Sequence, residues 1–288
     1  MSGARLSLRC VLPIVLLSQV EAGVAQSISP ITVPQSSPPR MIQIPSGRFA
    51  QSLGVAPVPG KLSVEKESPI ASFFIDRLPV TNSQFLEFVK QHPRWQRHRA
   101  PKLLVDDSYL SDWQGSLMLG PRAAPNKPVT QVSWFAAKAY CEARGARLPT
   151  EEEWEYVAAA SETAHDARQD PIWRRRILDW YAAPTKQVLP DVGLSPPNLY
   201  GVVDLHGLIW EWVLDFGSTM MSGDSRDSGG SDRMLFCGAA AVGAGEKQDY
   251  ASFMRYAFRS SLRARYGSRN LGFRCAATSI LQEREGIP

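Results

Sequence analysis

The side chains here that could do chemistry are few. The chain has four cysteines, Cys10, Cys141, Cys237 and Cys275, and four histidines, His92, His98, His165 and His206. Cys237, in the run LFCGAAA, has no histidine near it in sequence to depress its pKa. It reads either as a reactive thiol, a redox or copper ligand, or as the small buried apolar residue that an unpaired cysteine often is. His92 and His98 flank Pro93 and Trp95 in a basic loop and do not share a helix face as metal ligands would. Arg255 and Arg259 stand four apart and could together clamp a carboxylate or a peptide backbone; ion pairing with acids of the scaffold is the alternative. Glu151, Glu152 and Glu153 form an acidic run that suits the positive end of a helix dipole better than a metal cluster.

Elements able to position these groups can be read from caps and periodicity. Thr81 with Gln84 makes a capping box, followed by Phe85, Phe88 and Val89 on one helix face. Ser133 caps a second helix carrying Phe135, Ala139 and Tyr140, which Gly145 stops. Thr150 with Glu153 is a third helix start, preceded by Pro149. The remainder reads as short strands and turns, with strands expected at 41–44, 73–75 and 272–275. A single low-complexity patch, residues 222–231, is expected to be a surface loop.

The chain's ends carry different signals. Arg5 and Arg9 precede a short apolar run, residues 10–17, and Ala22, Gly23 and Ala25 supply small residues for cleavage after Ala25. That run is far shorter than the ~20 apolar residues of a membrane span. The expectation is a signal peptide over 1–25, a Pro- and Ser-rich linker over 26–40, one folded domain over 41–278 and a polar tail over 279–288. The exported product would be periplasmic or secreted, free of the membrane and in an oxidising compartment. Its 32 basic and 28 acidic residues are spread along the chain, apart from Arg174, Arg175 and Arg176. That distribution lacks the clustered basic patch of a nucleic-acid binder.

The stretch AYCEARGARLPTEEEWEY (139–156) resembles the signature of the formylglycine-generating, sulfatase-modifying-factor family. Four further segments resemble the same family in the same order: MIQIPSGRF (41–49), FFIDRLPVTNSQF (73–85), LYGVVDLHGLIWEW (199–212) and SLRARYGSRNLGFRCA (261–276). The resemblance implies an α+β, C-type-lectin-like domain with little regular secondary structure, which agrees with the scattered caps, the many turns and eight tryptophans. It also implies a disulfide between Cys141 and Cys275. Closing a loop of that length stabilises a domain by ~4–5 kcal/mol in the chain-entropy view.

What the resemblance implies for metals is mixed. The family's formylglycine generators hold copper between two cysteines, and the matching positions here fall near Glu246 and Ala251, neither a soft ligand for copper(I). Its iron-dependent relatives use three histidines in a pattern absent from this chain, so neither copper nor iron is expected. The segment 204–212 resembles the family's calcium loop and assigns carboxylates from Asp204 and Glu211 and carbonyls from Gly207 and Ile209 to a structural Ca²⁺. Leu208 stands where the family has a second Asn.

Motif positions place Cys237, Arg255, Tyr256, Arg259 and Asn270 around a substrate groove, with Arg274 adjoining the disulfide and Trp134 and Trp173 either lining the groove or packing. Three functions remain open. One is a periplasmic maturation or accessory factor acting on a protein or peptide partner; its FFIDRLPVTN and FCGA elements resemble a nitrite-reductase-linked group, and a pyoverdine-maturation group departs from the enzymes in the same way. The others are an oxidative enzyme using Cys237 and a non-catalytic lectin-like binding module.

Overall fold

A computed structural model describes residues 40–50, 67–216 and 250–278. The leader, most of the linker, the 222–231 patch, Cys237, Glu246 and the tail lie outside the described residues. No helix among the described residues is long and apolar enough to cross a membrane.

The strands are short and edge-rich, as the many turns require. β1 (Met41–Ile44) pairs antiparallel with β4 (Phe73–Asp76), and β4 pairs with β7 (Ala276–Ala277), giving a three-stranded sheet ordered β1-β4-β7. Its register sets Ile44 opposite Phe73 and Ile42 opposite Ile75. Ile44, Phe73 and Ile75 are buried in the core it shares with Trp154, Val157 and Val213. β2 (Gly47–Ala50) and β3 (Glu67–Ile70) form an antiparallel pair. β5 (Trp210–Glu211) runs parallel to β6 (Leu271–Gly272).

The helices form where the caps predict. α1 (Asn82–Gln91) starts at the Thr81–Gln84 capping box and buries Phe85, Phe88 and Val89. α2 (Trp134–Ala143) is capped by Ser133, and the chain leaves it through Gly145 at φ 70°, a left-handed conformation that glycine adopts without a Cβ penalty. α3 (Glu151–Ala158) starts at the Thr150–Glu153 capping box, and Glu153 also pairs with Arg147 at 2.6 Å. Phe85 and Phe88 meet Tyr140 at ring-centroid distances of 5.8 and 5.4 Å, so α1 and α2 close one aromatic core.

Two helices appear where the sequence reading expected strands and turns. α4 (Pro171–Ala182) is capped by Asp170, with Pro171 at its first turn, and buries Trp173 and Ile177. α5 (Tyr250–Ser261) buries an unusual face, Ser252, Arg255, Tyr256 and Arg259. Tyr250, Met254, Ala257 and Phe258 recur at helical spacing, yet the side the helix buries most deeply carries two arginines, which an apolar pattern alone does not anticipate. The expected 272–275 strand is also corrected. Pairing is confined to 271–272 and 276–277, because Arg274 lies between them with its side chain turned into the interior. Cys141 and Cys275 are both fully buried and form a disulfide across 134 residues of sequence, with Cα atoms 5.6 Å apart.

Candidate functional site

Helix α3 carries Glu151 and Glu155 four residues apart, and α5 carries Arg255 and Arg259 four apart. All four are at most 2% exposed. Arg255 Nε donates to both oxygens of Glu155 at 2.8 and 3.0 Å, while its terminal nitrogens donate to Glu155 (2.5 Å), Ser252 Oγ (2.6 Å) and the Tyr181 hydroxyl (2.9 Å). Arg259 donates to Glu155 at 2.8 Å and reaches Glu151 at 3.5 Å. Burial alone would raise the Glu155 carboxyl; the two guanidiniums outweigh it and hold the group below the usual carboxylate range. The arginine pair therefore clamps carboxylates of its own scaffold. Burial also pushes the phenol of neighbouring Tyr256 well above its ordinary value, so it stays neutral.

Trp154 ties this network to β5. The guanidinium carbons of Arg259 and Arg255 lie 4.4 and 5.6 Å from its ring centroid, and its indole N–H donates to Glu211 at 2.7 Å. Glu211 in turn accepts two bonds of 2.8 Å from Arg274, whose remaining donors reach the carbonyls of Asp76, Arg77 and Val203. A chain of buried polar contacts thus runs from α5 through α3 to β5 and the segment after β6.

The two carboxylates assigned to calcium are already engaged. Both Glu211 oxygens hold a buried guanidinium, and Asp204 accepts from the Gly193 and Ser195 amides and the Ser195 hydroxyl. An ion taking these oxygens would displace Arg274 and strand a buried charge. The donor set as arranged does not fit a calcium cradle. Among the described residues no group of three or more His, Cys, Asp or Glu is placed to hold a metal ion.

His206, within this loop, gave no signal in the sequence. Its ring stands edge-on to Trp154 and Trp173, at centroid distances of 5.9 and 5.4 Å, and Nε2 donates to the Ala158 carbonyl at 2.9 Å. Its buried Nδ1 has no hydrogen-bond partner. Burial first, and the nearby Arg255 charge second, depress its pKa to about 3, so it is neutral at ordinary pH.

On the outer side of the network several aromatic faces come together. The ring of Trp210, half-buried, stacks on Tyr181 at 4.8 Å and 22°, and it approaches Phe258 at 4.4 Å and Trp180 at 5.5 Å. The Trp210 amide donates to the Asn270 carbonyl at 2.7 Å, so the parallel β5–β6 pair sets Asn270 beside this stack. The Asn270 side chain accepts from Ser268 Oγ at 2.6 Å and donates to Thr185 at 3.3 Å near the surface. Of the residues expected in the groove, Asn270 faces outward, whereas Arg255, Tyr256 and Arg259 support it from inside. Trp173 packs in the small core with Ile177 and Ala251, and Trp134 is half-buried with its N–H on the Val213 carbonyl. Trp180, Tyr181 and Phe258 were missed, although their Trp-Tyr and i,i+4 spacing on α4 and α5 is visible once those helices are known.

Residues 27–279 match the family described as the sulfatase-modifying factor enzyme 1-like domain. The serine/threonine-protein kinase pkn1 of Chlamydia pneumoniae is 32% identical over 184 residues, taking in 64% of this chain and 29% of the kinase. The formylglycine-generating enzyme of Streptomyces coelicolor is 31% identical, covering 82% of this chain and 88% of the enzyme. The inactive C-alpha-formylglycine-generating enzyme 2 of Mus musculus is 27% identical, covering 84% and 86%. This chain thus spans less than a third of the kinase and most of the other two. Among solved structures, PvdO from Pseudomonas aeruginosa aligns over 83% of this chain and 94% of its own, with 19% identity and a TM-score of 0.47.

Proposed function

The chain belongs to the sulfatase-modifying-factor family, and we propose that within it this protein is an exported maturation or accessory factor. It acts on a protein or peptide partner and does not use a copper-dithiolate centre. One observation carries the reading: the chain lacks the sulfur for that centre. Cys141 and Cys275 are consumed by the disulfide, which leaves Cys10 and Cys237. The resemblance puts the cysteine pair of the family's enzymes near Glu246 and Ala251 in this sequence. Ala251 is 1% exposed and packs against Trp173 and Ile177, so a hydrocarbon contact stands there. A single remaining thiol within the mature domain cannot give the two soft ligands that copper(I) takes. A relative named as inactive is compatible with a fold kept after that chemistry is lost.

Export is supported by the short charged-then-apolar leader and by the buried disulfide, a bond that persists in oxidising compartments. A polypeptide partner is supported by the Trp210, Tyr181 and Phe258 faces beside the Asn270 amide. Aromatic area with an adjacent amide serves side chains and backbone together. The experiment installs a photo-crosslinking residue at exposed Thr185 in cells that export the protein. A defined exported polypeptide is expected in the adduct, and it should be lost when Trp210→Ala is added. Adducts confined to small molecules, or unaffected by Trp210→Ala, would contradict the partner reading.

A further inference from the structure

Away from the Trp210 stack, α3 turns Tyr156 toward β2. Tyr156 is seated there because residue 47 has no side chain: a Cβ on Gly47 would lie 2.3 Å from the Tyr156 hydroxyl oxygen. Tyr156 meets Tyr200 at 5.9 Å, and Tyr200 meets the exposed His165 ring at 4.8 Å, so three rings follow one another along one wall. Burial first, then the Tyr156 hydroxyl, push the Tyr200 phenol well above its ordinary value and keep it neutral. Phe49 stands edge-on behind Tyr156 at 6.2 Å, with the Arg168 guanidinium 4.6 Å from its ring centroid. Together with Pro45, Arg48 and Asp166 these residues line a cleft of about 320 Å³. That volume is at the small end of the ~300–1,000 Å³ typical of small-molecule sites.

The rim identifies the ligand's chemistry. Arg168 donates to both Asp166 oxygens and to the Ala50 carbonyl, and Arg48 pairs with Glu67 at 2.8 Å. Two guanidiniums and two carboxylates therefore cancel in pairs. Arg48, Arg168 and Asp166 line the cleft and Glu67 stands outside it on Arg48, so an entering cation or anion meets charges that are already paired. What the rim offers is planar donors and acceptors with lone pairs and N–H groups to share, next to aromatic faces. A neutral polyhydroxyl ring answers both features: its C–H face packs on an aromatic ring, and its hydroxyls bond to planar carboxylate and guanidinium groups.

We propose that the Tyr156–Tyr200–His165 cleft is a saccharide-binding site, in which a sugar ring lies against Tyr200 and His165 and its hydroxyls bond to Asp166 and Arg48. The site is separate from the Trp210 stack and does not depend on the function proposed for it. The test is saturation-transfer NMR on the mature domain with methyl β-D-glucopyranoside, N-acetyl-D-glucosamine and cellobiose, each raised to about 10 mM, enough to see millimolar affinity. Saturation of ring C–H protons is expected with at least one probe. It should weaken at least tenfold in His165→Ala and in Asp166→Asn. His165 and Asp166 are exposed, but Asp166 also holds Arg168, so circular dichroism and the melting temperature establish that each variant is folded, and a Trp210→Ala control binds normally. Absence of ring-proton saturation with all three probes would overturn the proposal. So would binding that survives both variants, or a proline decapeptide that occupies the cleft in their place.

Discussion

Arg255 delivers five donors into a space closed to water, and its five hydrogen bonds to Glu155, Ser252 and Tyr181 engage four of them. Removing one member of such a set leaves a buried, unbalanced charge. Arg255→Ala is expected to destabilise the fold by ~3–5 kcal/mol, read as a lower urea midpoint at unchanged slope. Arg255→Lys should recover only part of this, because an ammonium cannot reproduce the fork. His206 makes a separate prediction. Its folded pKa of about 3 lies below its unfolded 6.5, so the unfolded chain binds the extra proton. The stability associated with the neutral ring is complete above about pH 6.5 and is lost as pH falls toward 3. Glu155, also depressed, adds loss in the same direction below the ordinary carboxylate range. Urea unfolding at pH 7, 6 and 5 should show stability falling by up to about 1.4 kcal/mol per pH unit, with a flatter profile in His206→Phe.

Among the elements, α1, α2 and α3 were legible because their starts are marked by side chains that bond the orphan amides of the first turn. Thr150→Ala is expected to cost ~1 kcal/mol by thermal or urea denaturation, since the Glu153 N–H loses its acceptor. α4 carried an equally readable start, Asp170 followed by Pro171, but only Trp173 and Ile177 of its residues are buried, too few to mark an apolar face in the sequence. α5 was illegible for a different reason: its inner face is polar, and its burial makes sense only beside Glu151 and Glu155. The acidic run on α3 was read as helix-dipole chemistry, which holds for Glu153, while Glu151 reaches across to Arg259. The calcium loop was recognised from its pattern, but Arg274 and Ser195 occupy its carboxylates, and no local pattern reveals partners that far off in sequence. Adding a calcium chelator should therefore leave the melting temperature unchanged; a fall of several degrees would restore the loop to calcium.

For the molecule as a whole, the family and its α+β architecture were available in five ordered segments, because those segments build the sheet, the caps and the β5–β6 pair. The Cys141–Cys275 pairing came from the resemblance, and the structure bears it out. Both sulfurs are fully buried, so reductant should leave the native fold intact and act only once denaturant opens it. A Cys141→Ala, Cys275→Ala variant is expected to lose up to ~4–5 kcal/mol. The aromatic stack was least legible, since Trp180, Tyr181, Trp210 and Phe258 come from three separate stretches and meet only in the folded chain. The central claim is that this scaffold no longer assembles two thiolates. Copper(I) is titrated into the purified protein against a competing chelator, and a sulfatase-type cysteine peptide and oxygen are then supplied. No stoichiometric copper(I) and no peptide aldehyde are expected; one tightly held copper(I) per chain together with aldehyde formation would show that two thiolates still assemble.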